Sequence, residues 1–105
     1  QEAFCAWVRR NSPDVVISMD THAPKWIKGM GLRMPEDVAF VSYDWVPSMS
    51  GIAGIDQRRS QVAAAAVDLL AVKMSRLERG VPVVPRQVLI PSAWVDGDSV
   101  PLRRR

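Results

Sequence analysis

Hydrophobic positions recur along this chain with two different periods, and the switches between them lay out its elements. Phe4, Trp7 and Val8 share one face of a helical repeat over residues 2–10, which Asn11-Ser12-Pro13-Asp14 interrupts. Arg9 and Arg10 stand in its last turn, where cations meet the negative end of the helix dipole. Val15-Val16-Ile17-Ser18-Met19 is short and β-branched, which predicts a buried strand ending at Asp20. A helix is expected over residues 23–30. Pro24 is tolerated in its first turn, Gly31 closes its last, and Trp26, Ile27 and Met30 form its apolar stripe. From Val38 to Tyr43 the run is continuous instead of alternating, which suits a strand covered on both faces, and it stops at Asp44.

After a loop over residues 45–51, Ile52 to Asp56 reads as a short strand weakened by Gly54. The spacing next predicts a long helix from Arg58 to Arg79, with Asp56 or Ser60 as its cap. Val62, Ala66, Leu69, Leu70, Lys73, Met74 and Leu77 trace the side expected to be buried. Gly80 is expected to close this helix, and Pro82 prevents its continuation. Arg86 to Ile90 reads as a last strand stopped by Pro91, Trp94-Val95 as a brief return to the sheet, and residues 96–105 as a loose tail.

A strand, a helix and a second strand in succession form a right-handed crossover, so the two strands run parallel. Asp20 and Asp44 then share the carboxyl edge of the sheet, where open α/β folds hold their ligands. Trp45 sets a flat apolar surface beside Asp44. That pairing suits a polyhydroxylated molecule, whose C–H face lies on an indole while its hydroxyls donate to a carboxylate. Each residue also has a plainer role open to it. Asp20 serves equally as a cap for the following helix, Asp44 as a solvated strand end, Trp45 as a cover for the sheet edge, and His22 as an exposed loop residue.

Bulk properties narrow the field. With 105 residues, 48% of them hydrophobic and 24% charged, the chain has the size and composition of one ordinary globular domain. No apolar run approaches the ~18 residues of a membrane span. The net charge of +3 belongs to one end: without Arg103, Arg104 and Arg105, eleven basic residues face eleven acidic ones. A distributed nucleic-acid surface is excluded on that pattern, and the triplet reads as a solvated terminus. Cys5 is the single cysteine and is expected to be a buried, inert thiol; the absence of any internal disulfide fits a reducing compartment. With one histidine and one cysteine no zinc site is expected, and no cofactor motif occurs. Neither a phosphate-binding loop nor a nucleophile with an identifiable base is present, so an enzyme is not the expected reading. Gln1 is not an initiator methionine and residues 1–10 read as mid-helix, so a fragment of a longer protein is expected.

Residues 31–44, Gly31-Leu32-Arg33-Met34-Pro35-Glu36-Asp37-Val38-Ala39-Phe40-Val41-Ser42-Tyr43-Asp44, resemble the G-x-x-V-P-E-D-V-x-V-V-G-Y-D signature of LacI/GalR transcription regulators, within their sugar-binding-protein-like effector domain. Met34 and Ser42 replace the usual Val and Gly. Ser18-Met19-Asp20-Thr21-His22-Ala23 is similar to the family's A-N-D-x-x-A, with Met19 where an effector-binding asparagine often stands, so that polar contact is lost or moved. Gly54-Ile55-Asp56-Gln57 resembles the L-T-T-V-x-Q segment that crosses between subdomains; Gly54 in place of Thr implies a looser hinge beside Gln57.

The resemblance implies an α/β fold of the periplasmic-binding-protein type (type I), a parallel sheet flanked by helices, of which this chain is the C-terminal portion. Residues 1–51 would form the C-terminal subdomain, 52–57 the crossover, 58–80 a helix of the other subdomain and 86–95 a returning strand. It implies a small-molecule effector, a sugar by the family pattern, whose hydroxyls Asp44 receives; Asp20, Trp45, Met19 and His22 are the further effector-binding candidates at the same edge. It further implies a cytoplasmic homodimer that reaches DNA through an N-terminal helix-turn-helix absent from this chain, with no membrane partner. A sugar-binding transporter component of the same fold is the rival reading.

Overall fold

The computed structural model describes residues 1–101. The chain falls into two units: one holds Gln1–Asp56 and the segment from Ala93 onward, the other Gln57–Ser92. In chain order the elements are α1 (Glu2–Asn11), β1 (Val15–Ser18), α2 (Ala23–Gly29), β2 (Ala39–Ser42), β3 (Ala53–Asp56), α3 (Arg59–Ser75) and β4 (Ala93–Val95). The first unit carries a four-stranded sheet ordered β1-β2-β3-β4. β1, β2 and β3 are parallel and β4 runs antiparallel to β3, so the expected α/β class holds, with one antiparallel edge strand added.

One face of this sheet holds the core. Val16 of β1 and Phe40 of β2 cluster with Ala23 and Ile27 of α2 and with Val38 and Met49. Phe4 of α1 and Trp26 of α2 pack onto the cluster with ring centroids 5.5 Å apart, so both helices cover this face. Phe40 and Ile27 are fully buried, and each is worth roughly 1.5–3 kcal/mol in transfer free energy. Gly31, at φ +81°, takes the left-handed position that ends the α2 segment. Trp7, expected beside Phe4 and Val8 on the buried face, is 43% exposed, and Cys5 is only partly buried.

Strand β1 corrects the expectation of a buried strand. It lies at the sheet edge and alternates, with Val16 buried and Val15 and Ile17 facing outward; Ile17 is 67% exposed. Its β-branched composition shows strand propensity, but coverage on both faces depends on neighbours that composition does not specify. β2, flanked on both sides by strands, is the buried one, as its continuous apolar run indicated.

Residues 96–101 are likewise not the loose tail expected. Ser99 is buried, and its hydroxyl, carbonyl and N–H are all hydrogen-bonded. Its hydroxyl donates to the Phe40 carbonyl at 2.6 Å and accepts from Ala53 N at 2.9 Å; its carbonyl accepts from Phe40 N at 2.8 Å; its own N–H donates to Gly51 O at 3.2 Å. This one side chain joins β2 to the start of β3, where the ladder between them has not yet begun. The terminal Arg103–Arg105 triplet lies outside the described residues.

The second unit contains α3, and here four expectations are corrected. α3 ends at Ser75, not at Arg79, so it spans about 25 Å instead of about 33 Å. Leu77, at φ +54°, takes the left-handed position; its N–H bonds Met74 O at 3.1 Å while Glu78 N bonds Lys73 O at 3.0 Å. That pattern is a Schellman closure with leucine where glycine is usual, so Gly80 misled the reading. No residue of α3 is buried, including the stripe traced from Val62 to Leu77, and neither Asp56 nor Ser60 is its N-cap, which is Arg58 at φ +50°. Arg86–Ile90 forms no strand. The position beside β3 is occupied by Ala93–Val95, and a β-prone segment without a partner strand gains no ladder. No described helix is long and apolar enough to cross a membrane.

Candidate functional site

Parallel pairing sets Ser18 of β1 directly against Ser42 of β2. Both strands then continue through one residue to an aspartate, giving Ser18-Met19-Asp20 and Ser42-Tyr43-Asp44. The hydroxyl of each serine accepts the backbone N–H of the aspartate two residues on: Asp20 N at 3.0 Å from Ser18 Oγ, and Asp44 N at 3.3 Å from Ser42 Oγ. Tyr43 N donates to Ser18 O at 3.0 Å, so the two tips remain tied after the ladder ends. The same device, used twice at one register, brings Asp20 and Asp44 to one edge of the sheet. Neighbouring strands lie ~4.8 Å apart, which is the scale on which the two tips are spaced.

The serines were missed in the sequence reading, although the repeated Ser-x-Asp spelling was available as a signal. Such a hydroxyl replaces the next ladder partner for an amide at a strand end, and so holds the turn that carries the carboxylate. Asp44 is half-buried, with its Oδ1 shielded from solvent. Asp20 is more exposed; its Oδ1 accepts from His22 N at 2.8 Å and lies 3.2 Å from His22 Nδ1. Asp20 therefore shapes the turn before α2, but it is not the helix cap: the N-cap position is His22 and no side chain caps the helix. The His22 ring is exposed and stacks on Trp26 at 6.0 Å. Met19 is 61% exposed and presents an apolar side chain at the same edge, where Tyr43 is also exposed.

Trp45 points into the fold. Its Nε1 donates to Ile52 O at 2.9 Å, its N–H donates to Ile55 O at 2.9 Å, and its side chain packs against the core cluster. Covering the sheet edge is thus a role it fills.

Gly54 lies inside β3 and is buried. A Cβ there would fall 2.5 Å from the Ser42 carbonyl oxygen and 2.9 Å from Ser42 Cβ. The glycine meets a packing demand where the reading expected a looser hinge, and it lets β3 approach the strand end that carries Asp44. Gln57, partly buried, follows β3 directly.

The tips present carboxylates, a phenol and an imidazole, and no Lys or Arg occurs from Ser18 to His22 or from Ser42 to Trp45. Such an edge accepts hydrogen bonds from hydroxyl or amine donors. Among the described residues no group of three or more His, Cys, Asp or Glu side chains converges to hold a metal.

No curated protein and no solved structure matches the chain. The family model of the periplasmic binding protein-like domain matches residues 2–100, nearly its full length, and the four-stranded α/β sheet with its helices is the architecture of that domain type. Domains of this type bind small molecules. The chain therefore belongs to the periplasmic binding protein-like domain family.

Proposed function

We propose that this chain is part of the effector-sensing domain of a LacI/GalR-type transcription regulator, and that its effector is a neutral polyhydroxylated molecule such as a sugar. The observation that carries the reading is the pair of register-matched tips, Ser18-Met19-Asp20 and Ser42-Tyr43-Asp44, on adjacent parallel strands. The signature-like stretch Gly31 to Asp44 ends at the second of them and supports the regulator over other members of the domain family. Asp44 receives effector hydroxyls, Asp20 and His22 border the same crevice, and Met19 replaces a polar contact with an apolar one. Trp45, Gly54 and Gln57 support the strand ends and the crossover.

In this reading the protein acts in the cytoplasm as a homodimer and reaches DNA through a helix-turn-helix elsewhere in the protein. Effector exerts control only if it binds one state of the crevice more tightly than another.

Titration calorimetry on the intact protein with neutral sugars, polyols and their phosphorylated counterparts tests the ligand class. Asp44→Asn is expected to weaken the best neutral ligand by about tenfold or more, the scale of a hydrogen bond to a charged group. Unaltered affinity in that variant would remove Asp44 from the site. Operator release or capture on adding the ligand supports the regulator. Ligand binding with no DNA binding at all points to a transporter component instead.

A further inference from the structure

The first unit has a concavity at the sheet edge opposite Asp20 and Asp44. Pro13 and Val38 immediately precede the β1 and β2 regions, and together with Val8, Met30 and Leu32 they wall a cavity of about 170 Å³. Its floor is firm, since Val8 and Val38 are each only 2% exposed. Ser12 completes its wall with a polar group; a volume of ~150 Å³ holds one benzene molecule, so by size the space admits a single ring or a branched aliphatic group.

Two charged residues, Arg9 and Asp37, also line it. Asp37 is already committed. Its Oδ2 accepts from Arg33 N at 2.8 Å and Arg33 Nε at 2.9 Å, and its Oδ1 accepts from Arg33 Nη2 at 2.8 Å. Those hydrogen bonds hold the Asp37 carboxyl down at about 2, so it stays ionised and neutralised by its partner. Arg9 is exposed and takes part in no ion pair among the described residues. Arg9 stands in the last turn of α1, and its guanidinium offers five donors at the cavity mouth.

We infer that this cavity is a binding site for a small monoanion with a compact apolar body, of the benzoate or branched-chain carboxylate class. The apolar body fills the space between Val8, Leu32 and Val38, and the carboxylate meets Arg9. A free phosphate lacks the apolar body, and an amine is repelled by Arg9. The inference stands apart from the ligand reading of the Asp20–Asp44 edge and does not depend on it.

Amide chemical-shift titration of the full chain with benzoate, benzyl alcohol and benzylamine tests this site. Saturable shifts are expected at Val8, Leu32 and Val38 and not at Asp20 or Asp44. Benzoate is expected to bind about tenfold more tightly than benzyl alcohol, the scale of one charge-assisted contact. Arg9→Gln should erase that preference while leaving benzyl alcohol unchanged; Arg9 lies on the surface, so the variant keeps the fold. Equal binding of acid and alcohol, a preference that survives Arg9→Gln, or no saturable shift at these amides would overturn the assignment.

Discussion

The two units of the chain contrast in what holds them. In the first, short strands of three or four residues persist because side chains distant in sequence enclose Phe40, Ile27 and Val16. In the second, a 17-residue helix forms with no buried residue at all. Its Ala-rich stretch supplies propensity, and its own backbone supplies every hydrogen bond that propagation needs. Local hydrogen bonding is enough to shape a helix, whereas a strand exists only with a neighbour. The first unit is consequently specified by packing, and α3 by propensity.

The largest expected effect that tests this contrast is Phe40→Ala. Emptying a fully buried aromatic site costs about 3–5 kcal/mol and should abolish cooperative unfolding of the sheet, read by near-ultraviolet circular dichroism in urea. Retention of a sharp transition near the wild-type midpoint would mean that the cluster does not hold the unit. Next comes Ser99→Ala, which leaves the Phe40 carbonyl and Ala53 N–H without their side-chain partner and should cost roughly 2–4 kcal/mol in the same assay.

A smaller effect is expected from Asp37→Asn, and it depends on pH. The folded-state carboxyl lies at about 2 against an ordinary 3.8, so its stabilisation is fully present above about 3.8 and is lost as pH falls through about 2. The variant should be less stable than wild type at neutral pH, and the two should converge in acid. A constant difference down to pH about 2 would show that the Arg33 pairing is not the source. Smallest of all is Leu70→Ser on α3. Leu70 is 58% exposed, so its replacement should shift stability by no more than about 0.5 kcal/mol. A cost approaching that of Phe40→Ala would erase the distinction between the units.

Much of the first unit was legible because its signals are local. The breaker Asn11-Ser12-Pro13-Asp14, Pro24 early in α2, Gly31 after it and the continuous apolar run of β2 each act within a few residues. The shared edge of Asp20 and Asp44 followed from the handedness of a strand–helix–strand crossover, a rule that needs order and no contact list. The serines under those aspartates were readable as a repeated spelling, but their function required the register that pairs Ser18 with Ser42.

What the sequence determined by itself was the class of the fold, the order of its elements and the pair of acidic strand tips, since propensity, turn chemistry and chirality are short-range. Only tertiary structure decided which faces are covered, as Ile17 and the apolar residues of α3 show by staying exposed. It likewise decided that Ala93–Val95, and not Arg86–Ile90, pairs with β3, that Ser99 is a buried link and that Gly54 answers a close approach. Each of these depends on atoms far apart along the chain, and a pattern of hydrophobic and polar positions records what a residue prefers without recording which partner it meets.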